Sequence, residues 1–312
     1  MKAKNAISQI SLPAPAKINL FLSVNGKRTD GFHAINSVLA KIDLCDLVTL
    51  KKTEKLDEIE CACLGHHELS GSKNLAHRAI EEWRNTTGDR TGMKVTIRKR
   101  IPVMSGLGGG SSDAVATLVG LNLFHGKPLN KNELAEIALK LGSDCPFFLS
   151  EGLANVSGRG ESLRDISGAK KKELDGQRIF LFRPPMGFST PLIYDELSKR
   201  KLFSDSKWAK QNVENWESGL LDTAQFFHND FESFILKKFL FLSPLFEELK
   251  KRFELSFQVS GSGSCCFSFV HEGVCEVDVK ECIINLIGSN CRFWTSRVRL
   301  NGHKGFCFQS FE

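Results

Sequence analysis

Residues 102–112 read PVMSGLGGGSS, and Gly106, Gly108, Gly109 and Gly110 fall within five positions. Glycine loses more conformational entropy on ordering than any other residue, so such a cluster belongs where backbone must come close to something. A strand-like segment precedes it and an apolar, helix-like one follows. That order points backbone N–H groups and the positive end of a helix dipole at one spot, which suits a phosphate. Leu107 sits inside the loop. Ser111 and Ser112 add hydroxyls, and either is a suitable cap for a helix predicted over 112–124. The loop is not a Walker A loop, because no Gly-Lys-Ser/Thr follows. It is not a dinucleotide fingerprint either, because Ser111 stands where a final Gly or Ala is needed.

Two other stretches carry candidate chemistry. In PAPAKINLFL (13–22), Lys17 and Asn19 are two apart on a strand predicted over 17–25 and so share one face. In LGSDCPFF (141–148), Asp144 stands between a helix and a predicted short strand, and Pro146 is expected to hold Cys145 extended. An acid at such a junction, flanked by buried-looking residues, is a candidate base, and two polar groups on one face of an otherwise apolar strand are unusual.

The elements that must position these groups follow from periodicity and punctuation. Strands are predicted at 46–52 and at 94–101, where Val95, Ile97 and Lys99 face one way. A helix over 73–88 stops at Gly88, and one over 130–142 runs from Asn130 to Gly142. NVSGRGESL reads as a polar hairpin. The character changes after GAKKKELDGQ (168–177), a candidate boundary. RIFLFRPP (178–185) is then a strand, 189–251 is mostly helical with FILKKFLFLSPLF (234–246) as a core helix plus turn, 255–270 is strand–turn–strand, and 292–300 is a last strand. The expected fold is α+β in two domains, 1–167 and 168–312.

A net charge of +6 over 312 residues suits an anionic small molecule and lacks the concentrated basic stripe of a nucleic-acid binder. IRKR (97–100), AKKKE (169–173) and SKRK (198–201) read as solvated faces. Ten cysteines occur without a CxxC, and CACLGHH (61–67) lacks a second ligand pair at zinc spacing. Reduced thiols in a reducing compartment are expected. No apolar run approaches the ~18 residues of a membrane span, and MKAKNAISQISLP is too polar for a secretory leader. The expectation is a cytoplasmic protein, binding neither membrane nor nucleic acid, whose oligomeric state is left open.

These stretches together resemble the GHMP kinase superfamily, whose phosphate loop PVMSGLGGGSS matches. The succession PAPAKINLFL, TDGFH, GLGGGSSDA, LGSDCPFFL, GRGE, STPLIY and SGSG, over about residues 11–270, is most similar to the branch acting on 4-(cytidine 5'-diphospho)-2-C-methyl-D-erythritol in the non-mevalonate isoprenoid pathway. The resemblance implies a ribosomal-protein-S5-domain-2-like nucleotide-binding domain followed by a ferredoxin-like domain. It implies ATP with its phosphates on the 105–112 loop and its adenine near Asn74, Leu75 and Lys99. The cytosine would hydrogen-bond His33 and stack between Phe32 (often tyrosine in the family) and Tyr194. Asn19 would bind substrate or phosphate, Asp144 would accept the C2 hydroxyl proton, and Lys17 would stabilise the charge in transfer. Mg2+ is implied without protein ligands that can be named. The nearest alternative is a homoserine- or mevalonate-type kinase of the same superfamily. An RNA-binding protein is disfavoured by the modest charge, and a non-catalytic ligand sensor by the presence of both Lys17 and Asp144.

Overall fold

The computed structural model describes residues 8–300. Two long antiparallel strands, β1 (Gln9–Lys27) and β2 (His33–Lys52), form the spine. On one side β2 also pairs with β4 (Met93–Arg98), which pairs in parallel with β3 (Ile59–Leu64). Further along, β2 takes β5 (Leu153–Gly158), itself in a hairpin with β6 (Ser162–Asp165). Helices α1 (Leu75–Thr87), α2 (Gly109–Phe124) and α3 (Lys131–Leu141) cover one face, burying Trp83, Leu118 and Leu121 against Leu12, Val48 and Leu50.

A short α4 (Ala169–Leu174) leads into β7 (Arg178–Arg183). Helices α5 (Thr190–Arg200), α6 (Ser206–Glu217) and α7 (Thr223–Phe226) follow, and then the two-residue β8 (His228–Asn229), which joins the first sheet beside β1. The chain continues through α8 (Glu232–Lys238), α9 (Leu242–Phe253), β9 (Gln258–Val259), β10 (Cys266–Phe269), α10 (Glu276–Ile287) and β11 (Arg292–Arg297). The second sheet runs β11-β7-β10-β9, all antiparallel. Its face is aromatic: Phe182 meets Phe257 edge-on at 5.4 Å, and Phe180 packs on both Phe257 and Phe293.

Burial along β1 explains where the chemistry sits. From Ile10 to Pro15 buried and half-buried residues alternate, as in a strand with one covered face. From Ala16 to Val24 every residue is buried, because β7, β10 and α6 pack on the other face. Lys17 and Asn19 therefore lie between two layers.

Five local expectations are corrected. Residues 146–149 form a 3-10 turn, not a strand, and Cys145 is helical (φ −61°, ψ −46°), not extended. Pro146 opens that turn at a position whose N–H needs no partner, and this outweighs the pre-proline preference. The serines do not cap α2: the helix begins at Gly109 after a left-handed Gly108, and both serines lie in its first turn. Region 234–246 is two helices, with Pro244 tolerated in the first turn of α9. Lys99 and Lys170 are not on solvated faces; each side chain is buried and ion-paired. The strands at 46–52, 94–101 and 178–185 and the helices at 73–88 and 130–142 appear close to where they are expected, whereas β3, α4, α10 and the first half of β2 were not anticipated; Asn130 completes a capping box with Glu133.

No helix among the described residues is long and apolar enough to cross a membrane. The nine described cysteines are unpaired; Cys307 lies outside the described residues.

Candidate active site

A cavity of about 1040 Å3 lies against the spine, from the middle of β1 to the start of β2. Lys17, Asn19, Phe32, His33, Asn74, Leu75, Lys99, Gly106, Gly108, Gly109, Gly110, Ser111, Asp144 and Tyr194 all line it. Leu107 and Ser112 do not. The Leu107 side chain is buried in the core and its carbonyl accepts the Lys17 backbone N–H at 3.0 Å, so it fastens the loop to β1. The Ser112 hydroxyl is buried and has no partner among the described residues.

Two of the loop glycines, Gly106 and Gly108, are required by geometry. Gly108 has φ +70°, and a Cβ there would lie 2.9 Å from the Phe148 ring and 3.1 Å from Lys17 Cγ. Gly106 has φ +77°, and its Cβ would fall 1.9 Å from the Ser260 carbonyl oxygen. The second loop, SGSG at 260–263, thus touches the first backbone to backbone.

Lys17 Nζ stands 3.8 Å from Asp144 Oδ2 and donates a short hydrogen bond to Asn19 Oδ1. Asn19 Nδ2 donates to Ser37 Oγ at 2.9 Å, which fixes the amide. Lys17 is 4% exposed and Asp144 44%. Burial pushes the Lys17 pKa below its ordinary value, and Asp144 opposes that shift. Across the cleft, Gly261 presses on the same pair: a Cβ there would be 3.2 Å from Lys17 Nζ. Asn229 holds this loop, with Nδ2 donating to the Val259 and Gly261 carbonyls at 2.8 Å each. Sequence reasoning missed Asn229; the only trace was a polar HND among phenylalanines.

At another part of the cavity, Asn74 caps α1, accepting from Ala76 N at 2.8 Å. Lys99 bridges two carboxylates that the sequence reading also missed: Asp113 at 2.8 Å and Asp46, whose other oxygen accepts the Ile101 N–H. Burial works against the Lys99 charge, but Asp113 and Asp46 outweigh it and hold its pKa above the ordinary value. Burial pushes the Asp113 carboxyl up, Lys99 pulls it down and Asp46 pushes it further up. Removing the cation strands two buried carboxylates. Lys99→Met is therefore expected to lower unfolding free energy by about 3–5 kcal/mol, read by urea denaturation. A loss below about 1 kcal/mol would mean the triad is solvated.

At the mouth, Phe32 is 49% exposed with the Arg159 guanidinium 5.0 Å from its ring centre. His33 stacks on Tyr194 at 4.7 Å, and its Nε2 meets Ser198 Oγ at 2.6 Å. Burial and then Lys27 lower the His33 pKa, favouring the neutral imidazole. Phe231 closes on Tyr194 edge-on.

The family GHMP kinases N terminal domain matches residues 74–152, which include the glycine loop and Asp144. A 4-diphosphocytidyl-2-C-methyl-D-erythritol kinase from Microcystis aeruginosa is 34% identical over 94% of this chain and 97% of its own length. The chain belongs to the 4-diphosphocytidyl-2-C-methyl-D-erythritol kinase family. It is an ATP-dependent kinase of the two-domain GHMP fold. A crystal structure of a 4-(cytidine 5'-diphospho)-2C-methyl-D-erythritol kinase superposes with a TM-score of 0.69 at 27% identity, covering 92% of this chain and 99% of that one. A mevalonate kinase structure superposes almost as well, TM-score 0.68, covering 94% and 99%, but at 19% identity. Shape alone therefore does not choose the acceptor within this fold; the sequence relationship does.

Proposed function

We propose that this kinase transfers the γ-phosphoryl group of Mg·ATP to the C2 hydroxyl of 4-(cytidine 5'-diphospho)-2-C-methyl-D-erythritol. The carrying observation is the Lys17–Asp144 pair at 3.8 Å, flanked by the Gly106–Gly110 loop in one cavity with the His33–Tyr194 stack. Asp144 orients the hydroxyl and takes its proton as the O–P bond forms. Lys17, nearly dry and therefore strong electrostatically, stabilises the charge in transfer. Asn19 holds Lys17 by its carbonyl and stands ready for a substrate or phosphate oxygen. The loop amides and Ser111, at the start of α2, hold the β- and γ-phosphates. Neutral His33 hydrogen-bonds the cytosine edge, and the rings of Phe32 and Tyr194 offer π-faces to the base, with the His33 ring turning off Tyr194 to admit it.

No group of three or more His, Cys, Asp or Glu converges among the described residues. The donor set suits an ion that would arrive on the nucleotide, with the Ser111 hydroxyl in the cavity as a protein oxygen that could help to hold it. Mg2+ bound there neutralises phosphate charge.

ADP release should be measured with Mg·ATP and, separately, the cytidyl compound, mevalonate and homoserine. Turnover is expected with the cytidyl compound alone. Turnover with mevalonate or homoserine instead would discard the cytosine pocket and leave the phosphate loop standing.

A further inference from the structure

Lys41 on β2 is the cross-strand partner of Lys17 on β1. Directly opposed residues of an antiparallel pair project to the same face. Lys17 reaches Asp144. Lys41 Nζ instead donates to the carbonyls of Phe148 at 2.9 Å and Ser150 at 2.7 Å, with the Phe147 ring centre 5.8 Å away. Those carbonyls end the 3-10 turn that starts directly after Asp144 and Cys145. A cation is favourable at such an end, where carbonyls point outward unpaired. The same turn carries the Phe148 ring, which packs where a Gly108 Cβ would be. One turn thus touches both the carboxylate and the phosphate loop, and one ammonium ties that turn to the central strands.

We infer that Lys41 is a positioning residue for phosphoryl transfer: by holding the 146–150 turn it sets where Asp144 and Gly108 stand relative to each other. The inference rests on Asp144 being the base.

The groups facing Lys41 are few. Asp165 on β6 and Lys131 on α3 lie nearest in charge, 3.9 Å from each other. The turn offers carbonyls and the Phe147 ring. Glu151 beyond it is paired with Lys171, Asp43 on the same strand is paired with Arg299, and β1 brings Lys17 opposite. Burial lowers the Lys41 pKa to about 8, with Asp165 opposing and Lys131 adding. As pH rises through that value the folded protein loses the charge, and the two bonds become weaker, uncharged ones. The unfolded chain still binds this proton until about pH 10.4. Between the two values it binds more protons than the folded state, so the Lys41 contribution to stability rises with pH. Turnover should fall over the same range. The opposite signs separate positioning from unfolding.

The test is the pH profile of kcat and KM, from about pH 6 to about pH 9.5, for the parent chain, Lys41→Met, Lys41→Arg and Asp144→Asn, with Mg·ATP and the cytidyl substrate. Lys41→Met is expected to lower kcat about tenfold or more near neutrality with KM values within about twofold. Lys41→Arg, whose cation does not titrate here, is expected to restore most of that loss and to move the alkaline fall up by about one pH unit. Lys41→Met within about twofold of the parent kcat overturns the inference. So does Lys41→Arg falling at the parental pH, which would assign that limb to Lys17. If Lys41→Met fails to fold, the Lys41→Arg profile decides. Full activity in Asp144→Asn would remove the base assignment and this inference with it; loss there with no Lys41 effect sinks the inference alone.

Discussion

Asp144→Asn is expected to turn over at least about 100 times more slowly than the parent chain, with KM values little changed. The amide keeps the shape of the carboxylate and cannot take the proton of the attacking hydroxyl. The side chain is almost half exposed, so the change leaves no buried group stranded and the melting temperature should hold. Lys17→Ala is expected to cost at least about 100-fold as well, because charge developing on the transferred group loses its nearest dry cation. It also frees Asn19 Oδ1, which now accepts from Lys17. The two losses should not add in the double variant, because each residue acts through the same transferred group. Near-parental kcat in either folded variant would overturn the assignment.

The second large effect is expected at Gly106. Its φ of +77° is a left-handed conformation, and its Cβ position lies 1.9 Å from the Ser260 carbonyl and 2.9 Å from Gly263 N. Both neighbours are backbone, so neither can swing aside. Gly106→Ala must push the two loops apart, and with them the phosphate cradle and the Gly261 contact on Lys17. We expect kcat/KM for ATP to fall by more than about 100-fold. Gly126 supplies the control. It has the same φ of +77° and nothing within 4 Å of its Cβ position. Gly126→Ala should cost about 1–2 kcal/mol of stability from backbone strain alone and leave ATP kinetics intact. If the two alanine variants behave alike, the close approach of the loops has no catalytic importance.

The features that were legible in the sequence are those whose cause is local. Four glycines leading into an apolar helix, the last two of them its first residues, announce an anion site because the requirement lies in the backbone itself. Lys17 and Asn19 share a face because a strand repeats every two residues. Asn130, Gly142 and Gly88 mark helix ends because capping bonds reach only a few residues. The local rules failed where two of them competed. Before Pro146, an extended Cys145 was the common outcome, but a tight turn that needed a helical residue there prevailed. Ser111 and Ser112 looked like caps, yet the left-handed Gly108 starts the helix earlier, which leaves the Ser111 side chain on the cavity and the Ser112 side chain buried.

What this sequence by itself determined is the kind of chemistry and the family that performs it: a phosphate loop, an acid, a lysine, and spaced motifs that no single turn or helix would require. Only the tertiary structure decided which groups meet. Lys17 finds Asp144, Lys99 finds Asp46 and Asp113, Asn229 grips Gly261, and Lys41 takes the carbonyls behind the acid. Each pair is brought together by sheet register and layer packing, which are set by apolar burial summed over the whole core rather than by the residues that meet. A lysine that reads as a solvated charge becomes a buried strut once strands and helices close around it.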